Sequence, residues 1–272
     1  MMIRAALPLL VLAACATAQK VEVRPVEEGL AEAGAALAEA RSPVPTDCAG
    51  ASRLPAMTQS VEGASLAAAC ALASSDAARA REFYLRLAEL DAVGESERGL
   101  GRLAAEAGEA TLAAEHFARA TEASPEDWRA WNALGFARDA LADWDGAEAA
   151  YAEAARLAPR EGAPYNNRGM SLLRRGETAD AAAAFAEALR RQPALAPART
   201  NLRVARALLG EYAEAVAGAG EAERARVLNG VGLAALSRGD RVEARRLFAE
   251  ALDASPVFYP AAYENLQRAA AD

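Results

Sequence analysis

The sequence repeats one pattern of residues with a period of 34 positions. The first copy consists of Trp131, Leu134, Gly135, Ala147, Tyr151, Ala154 and Pro159, and the second of Tyr165, Arg168, Gly169, Ala181, Phe185, Ala188 and Pro193. A period of about 20 to 50 residues is typical of repeat architectures, whose units cannot bury their apolar faces alone. We therefore expect a stack of similar units.

Each copy predicts a pair of helices. Leu134 and the aromatic residue three positions before it lie on one face of a first helix. Gly135 carries no side chain, so a second helix can approach it closely, with Ala147 as its small partner. Pro159 ends the second helix, because proline has no amide proton and disfavours helical geometry in the residue before it.

This order of residues resembles the tetratricopeptide repeat (TPR). The motif Trp131-x-x-Leu134-Gly135, then Ala147-x-x-x-Tyr151, then Pro159 is close to the family pattern, whereas Arg168 stands where an apolar residue is usual. The resemblance implies an all-α fold: a right-handed solenoid of stacked helical hairpins with a C-terminal capping helix. The alternative is a generic alanine-rich helical bundle, against which the repetition in phase argues.

Further copies flank the central pair. Residues 94–127 fit the pattern, residues 60–93 fit it loosely, and a copy near 196–224 is shortened by Gly218-Ala219-Gly220. A clear copy follows, with Pro256 at its end, and Pro260 starts the predicted capping helix. The predicted organisation is a signal peptide over 1–14, a tether over 15–58 with one helix near 26–41, and a solenoid over 59–272 of about five to six repeats.

The N-terminus indicates export. Arg4 precedes a short apolar run that ends in Leu12-Ala13-Ala14-Cys15, and this run is shorter than the roughly 20 residues that span a membrane. The tetrapeptide resembles a bacterial lipobox, which implies lipidation of Cys15 after cleavage. An ordinary secretory signal cleaved near Ala18 is the alternative. By the sorting rule of such lipoproteins, Ala16 after the lipidated cysteine implies the periplasmic face of the outer membrane.

Two cysteines remain besides Cys15. In an oxidising exported compartment, Cys48 and Cys70 form an even pair that favours a disulfide. The alternative is two buried, small hydrophobic side chains.

Charge and motifs exclude several functions. Removal of residues 1–14 leaves 29 basic and 38 acidic residues, a net charge of −9, which is unsuited to nucleic acid. His116 has no cysteine or histidine at ligand spacing, which favours a solvated position over a metal site. There is no glycine-rich phosphate loop and no nucleophile motif. We therefore expect a non-enzymatic protein without a cofactor or a metal.

The resemblance also predicts a binding groove, because the first helices of TPR units line the concave side. The residues assigned to it are Arg98, Arg102, Asn132, Phe136, Asn166, Met170, Arg174, Thr200 and Asn229. An asparagine amide both donates and accepts, so exposed Asn132 and Asn166 could pair with the backbone of a bound segment. The alternatives are that these asparagines are solvated or cap local turns, or that partners bind the convex face.

A finer resemblance concerns the C-terminal half. Four stretches are similar to the TadD family, the TPR lipoproteins of the tight-adherence (Flp) pilus and secretion machinery. They are Asn166-Asn167-Arg168-Gly169-Met170-Ser171-Leu172-Leu173, Asn201-Leu202, Leu228-Asn229-Gly230-Val231-Gly232-Leu233 and Arg238-Gly239-Asp240. This implies an envelope scaffold with a protein partner such as a secretin or a pilus-assembly component. We expect such a scaffold to contact the membrane only through its lipid anchor. The alternative is a periplasmic adaptor that regulates a peptidoglycan synthase or a protease.

Overall fold

The computed structural model describes Cys48 and residues 59–270. Within these residues there are thirteen α-helices and no β-strand. The helices are α1 Val61–Ala73, α2 Ala77–Glu89, α3 Val93–Glu106, α4 Ala110–Ala123, α5 Trp128–Ala140, α6 Trp144–Leu157, α7 Ala163–Arg174, α8 Thr178–Arg191, α9 Ala196–Leu209, α10 Tyr212–Val216, α11 Glu221–Ser237, α12 Arg241–Asp253 and α13 Pro260–Ala270. The predicted signal peptide, Cys15 and the helix near 26–41 lie outside the described residues.

The helices form six consecutive hairpins, from α1 with α2 to α11 with α12, and α13 packs on the last one. Each hairpin also packs on the next. The first helices of several successive hairpins contact each other directly, as α3 does with α5, α5 with α7, and α7 with α9. The first helices therefore line the inner side of the array and the second helices its outer side. The prediction of an all-α solenoid with a C-terminal capping helix is confirmed.

Glycine sets the spacing within four of the hairpins. An aromatic ring of the second helix lies over a glycine of the first in the pairs Gly101–Phe117, Gly135–Tyr151, Gly169–Phe185 and Gly232–Phe248. A β-carbon at these glycines would stand 2.6 to 2.8 Å from the ring, closer than real contacts. The four rings are almost completely buried. The recurring glycine is thus required by the close approach of an aromatic side chain.

The fifth hairpin is incomplete. Its second helix, α10, has five residues, whereas the second helices of the neighbouring hairpins have fourteen and thirteen. The chain then turns at Gly218, where φ is +69°, and enters α11, the longest helix described. The Tyr212 hydroxyl donates a hydrogen bond to Asp240, and Arg238 donates one to the carbonyl of Leu208. These contacts bind the incomplete hairpin to the last one.

A disulfide joins Cys48 to α1. The sulfur atoms of Cys48 and Cys70 lie 2.14 Å apart and the α-carbons 5.5 Å apart. The bridge attaches part of the predicted tether to the first hairpin. In the part of the chain that the structure describes, no helix is both long enough and apolar enough to cross a membrane.

Candidate protein-binding groove

Three neighbouring first helices are joined by a chain of buried amides, which we call the asparagine ladder. Asn201 Nδ2 donates to Asn166 Oδ1 at 2.9 Å, Asn166 Nδ2 to Asn167 Oδ1 at 3.3 Å, and Asn167 Nδ2 to Asn132 Oδ1 at 3.1 Å. The ladder therefore runs from α9 through α7 to α5. It is formed at these positions because the first helices contact each other there, and an amide can donate to one neighbour while accepting from another.

The expected exposure of Asn132 and Asn166 is wrong. Their side chains are only 6% and 1% exposed, because neighbouring first helices cover them. They do not cap local turns either, since two of the three ladder bonds join residues 35 positions apart. Among the described contacts, the Nδ2 of Asn132 and the Oδ1 of Asn201 have no partner, and neither atom is fully sealed from solvent. The ladder thus ends in one donor and one acceptor that have no described partner.

Two other predicted positions lie apart from the ladder. Asn229 on α11 accepts a hydrogen bond from Asn265 Nδ2 on α13 at 3.0 Å, which ties the capping helix to the last hairpin. Thr200 is exposed, and its neighbour Asn201 provides the amide of the ladder instead. Asn167 and Asn201 are not among the predicted groove residues, although their spacing of 34 residues repeats that of Asn132 and Asn166.

A buried carboxylate lies where the two central repeats meet. Asp139 on α5 has a side chain with no exposed surface. It accepts hydrogen bonds from Ser171 Oγ at 2.6 Å, from Tyr151 Oη at 2.8 Å and from Arg174 Nη1 at 3.3 Å. Three helices, α5, α6 and α7, are connected through this one side chain. Of the four residues, only Arg174 was predicted as a site residue.

Burial determines the ionisation of this cluster. Loss of hydration raises the pKa of Asp139 above its usual 3.8, against the lowering effects of Ser171, Tyr151 and Arg174. Burial and the adjacent carboxylate raise the pKa of the Tyr151 hydroxyl well above its usual value. Tyr151 is therefore held as a neutral donor. The sequence signal for the cluster is that Asp139 and Ser171 stand where neighbouring copies have Leu173, Ala137 and Ala205.

The remaining predicted groove residues differ in how accessible they are. Arg98 pairs with Asp127 at 2.9 Å and Arg102 with Glu106 at 2.9 Å, both at α3 and without a described contact to the ladder. The rest are Met170, which is 4% exposed, Phe136, which is half-buried, and Arg174, which is partly exposed. Of the predicted residues on α5, α7 and α9, the ones exposed enough to meet a partner are therefore Phe136, Thr200 and Arg174.

The only histidine does not lie in this groove. Its Nδ1 is 2.6 Å from Glu97, and the side chain is 13% exposed, so the expectation of a solvated His116 is wrong. Arg119 contacts both residues. Among the described residues, no group of three or more histidine, cysteine, aspartate or glutamate side chains could hold a metal ion.

Comparison with known proteins identifies the fold. No protein-family model and no curated protein matches the chain. The Cut9–Hcn1 hetero-tetramer of the APC/C has a chain that is 18% identical, with a TM-score of 0.59 over 80% of this chain and 46% of that one. This chain thus spans under half the length of that protein. YrrB, a TPR protein with an unusual peptide-binding site, is 17% identical, with a TM-score of 0.50 over 69% of this chain and 99% of YrrB. The stacked hairpins described here are therefore a TPR solenoid.

Proposed function

We propose that this chain is a non-enzymatic scaffold that binds a segment of another protein along its concave side. The observation that carries the proposal is the inner surface formed by consecutive first helices, in which α5, α7 and α9 are held together by the asparagine ladder. A solenoid of this kind offers an extended surface for a partner. The likeness of fold to YrrB, which has a peptide-binding site, supports this reading.

The chemistry of the groove fits a polypeptide segment. The unpaired donor on Asn132 and the unpaired acceptor on Asn201 lie at the two ends of the ladder, where a bound segment that reaches them can pair through its backbone groups, whatever its sequence. Phe136 supplies apolar contact. The Arg174 guanidinium, already paired with Asp139, can also meet a carboxylate of the partner.

The proposed location is the periplasmic face of the bacterial outer membrane, with lipid on Cys15 as the anchor. Three features support it: Leu12-Ala13-Ala14-Cys15, Ala16 after it, and a disulfide between Cys48 and Cys70, which persists in oxidising compartments. The proposed partner is a component of a Flp-type pilus or secretion machine, such as its secretin. The support for this finer proposal is the likeness of residues 166–173, 201–202, 228–233 and 238–240 to the TadD family.

The groove can be tested by photo-crosslinking in cells. A photo-reactive amino acid at Phe136 or Thr200 should join the chain to one protein, and the same group at exposed Arg245, on the outer helix α12, should not. The partner is identified by mass spectrometry of the product. Crosslinks of equal yield and identity at all three positions would refute binding in the groove, and a partner unrelated to pilus or secretion assembly would refute only the assigned system.

The anchor is tested separately. Cys15→Ser should release the protein from the membrane fraction without changing its thermal unfolding, because the substitution lies outside the solenoid. A variant that stays with the membrane at normal abundance would contradict lipid anchoring at Cys15.

A further inference from the structure

The position just before the recurring glycine is apolar in three copies of the repeat and charged in a fourth. The residue directly before the recurring glycine is Leu100, Leu134 or Val231 in other copies, with exposures of 7%, 2% and 4%. In the copy that begins near 162 it is Arg168, whose side chain is 44% exposed. Its Nε lies 2.7 Å from Glu148 on α6. The apolar side chain that fills this space elsewhere is thus absent here.

An open crevice lies beside Arg168. It has a volume of about 520 Å³ and is bounded by the outer helices α6 and α8, with α7 as its floor. Tyr165, Leu172 and Ala184 supply its apolar lining. Residues 165, 168, 172 and 175 follow the helical period along one side of α7, opposite the side that carries Asn166. The crevice therefore opens on the convex face, away from the asparagine ladder.

The rim of the crevice is acidic. Its carboxylates outnumber its guanidinium groups by five to two, and they are Asp145, Glu148, Glu177, Asp180 and Glu187, against Arg168 and Arg175.

Three of these carboxylates already have partners. Glu148 pairs with Arg168, Glu177 with Arg175 at 2.6 Å, and Glu187 with Arg191 at 2.5 Å. Among the described contacts, Asp145 and Asp180 have no ion pair, and both are exposed. Two unpaired negative charges therefore flank an apolar floor.

We propose that this crevice is a second docking site, which takes a linear protein segment with an apolar side chain flanked by arginine or lysine. The apolar side chain occupies the space that leucine or valine fills in other repeats, against Leu172 and Ala184. The flanking cations pair with Asp145 and Asp180, so charge complementarity selects a basic segment. The site is independent of the concave groove, and it allows one chain to hold two partners on opposite faces.

The test measures binding of a fluorescein-labelled peptide of alternating arginine and leucine to the full chain by fluorescence anisotropy. A peptide in which glutamate replaces arginine is the matched probe. Arg168→Leu should weaken binding of the basic peptide at least about tenfold, because leucine refills the space. This variant is more acidic than the parent, so nonspecific attraction would strengthen binding instead. Its thermal unfolding should be unchanged or raised.

Two double variants with the same net charge test whether Asp145 and Asp180 provide the electrostatic contribution to peptide binding. Asp145→Asn with Asp180→Asn should weaken binding about three- to tenfold at low salt. Asp253→Asn with Glu264→Gln changes the net charge equally at exposed sites elsewhere and should have no effect. Three results would each overturn the proposal. They are unchanged binding of the basic peptide by Arg168→Leu, binding of the acidic peptide as tight as that of the basic one, and equal loss of binding in the two double variants. Phe136→Ala should not affect this binding, which separates it from the concave groove.

Discussion

The two central repeats, 128–161 and 162–195, share a backbone pattern but differ in their polar content. Both place a ring over a glycine, at 2.7 Å in the first and 2.6 Å in the second, measured from the position of an added β-carbon. Both end their second helix just before a proline-containing turn. They differ at corresponding positions: Leu134 and Arg168, Asp139 and Leu173, Ala142 and Gly176, and Tyr151 and Phe185.

This difference distinguishes the residues that specify the fold, which both repeats share, from the residues that differ between repeats. In the first copy, Asp139 and Tyr151 form a buried hydrogen bond that Leu173 and Phe185 cannot make. In the second copy, Arg168 replaces a buried leucine and borders a crevice. The glycine, the small alanines and the proline are common to both, because they set the helix spacing and ends. Polarity differs at other positions, as it does between Leu134 and Arg168 and between Asp139 and Leu173.

The largest predicted effect comes from the shared glycine. Gly135→Leu and Gly169→Leu should each destabilise the chain by about 3 kcal/mol or more, because even a β-carbon there overlaps the ring of Tyr151 or Phe185. Equilibrium unfolding in urea measures the loss. Since a solenoid is coupled through neighbours, hydrogen exchange should rise first in the adjacent hairpins.

Gly230→Ala is the control for these substitutions. Gly230 lies within α11 with nothing near the position of a β-carbon, so alanine there should stabilise by up to about 1 kcal/mol. If the leucine variants unfolded at the same urea concentration as the parent, the packing of ring on glycine would not determine the spacing of the hairpin.

The next prediction concerns the polar network around Asp139, which the repeat 128–161 has and the repeat 162–195 lacks. Asp139→Ala should cost about 2 to 4 kcal/mol, because it leaves the buried Tyr151 and Ser171 hydroxyls without their acceptor. Combining Asp139→Leu with Tyr151→Phe and Ser171→Ala installs the apolar residues of neighbouring copies and should recover most of that loss. A triple variant less stable than Asp139→Ala would show that the network stabilises the junction beyond satisfying its own groups.

The third prediction concerns pH. The pKa of Asp139 is raised in the folded state, so the folded chain holds this proton more strongly than the unfolded chain does. The contribution of Asp139 to stability is therefore largest in acid. It falls as the pH rises above 3.8, the usual pKa of an aspartate, and through the raised pKa of Asp139 in the folded chain. As the pH rises, the parent should accordingly lose unfolding free energy relative to the Asp139→Asn variant. A pH-independent difference would contradict this.

Much of the fold follows from the sequence because its determinants are periodic. The spacing of 34 residues, the glycine within the first helix and the closing proline predict helices and hairpins correctly. The interruption at Gly218-Ala219-Gly220 also has a visible counterpart in the five-residue helix α10. These features are local, or repeat at a fixed distance, so a single sequence reveals them.

The site is harder to predict because it depends on contacts between repeats. The register places Asn132 and Asn166 on the inner side of the array, but it does not show that neighbouring first helices cover them. Asp139 illustrates the same limit, since its partners Ser171 and Arg174 come from the next repeat. A period describes positions within a unit. The burial of a polar group at a junction depends on how closely two units approach.

The smallest predicted effect is at the turn between the paired helices. Gly176 has φ of +80°, and Ala142, its counterpart, has φ of +57°. A β-carbon in this left-handed region is strained, whereas glycine adopts it freely. Ala142→Gly should therefore stabilise the chain by up to about 1 kcal/mol, and Gly176→Ala, which meets no atom within 4 Å, should destabilise it by a similar amount. Thermal unfolding measures both shifts. Because the two positions are equivalent, shifts of the same sign would show that something other than the backbone angle distinguishes the two turns.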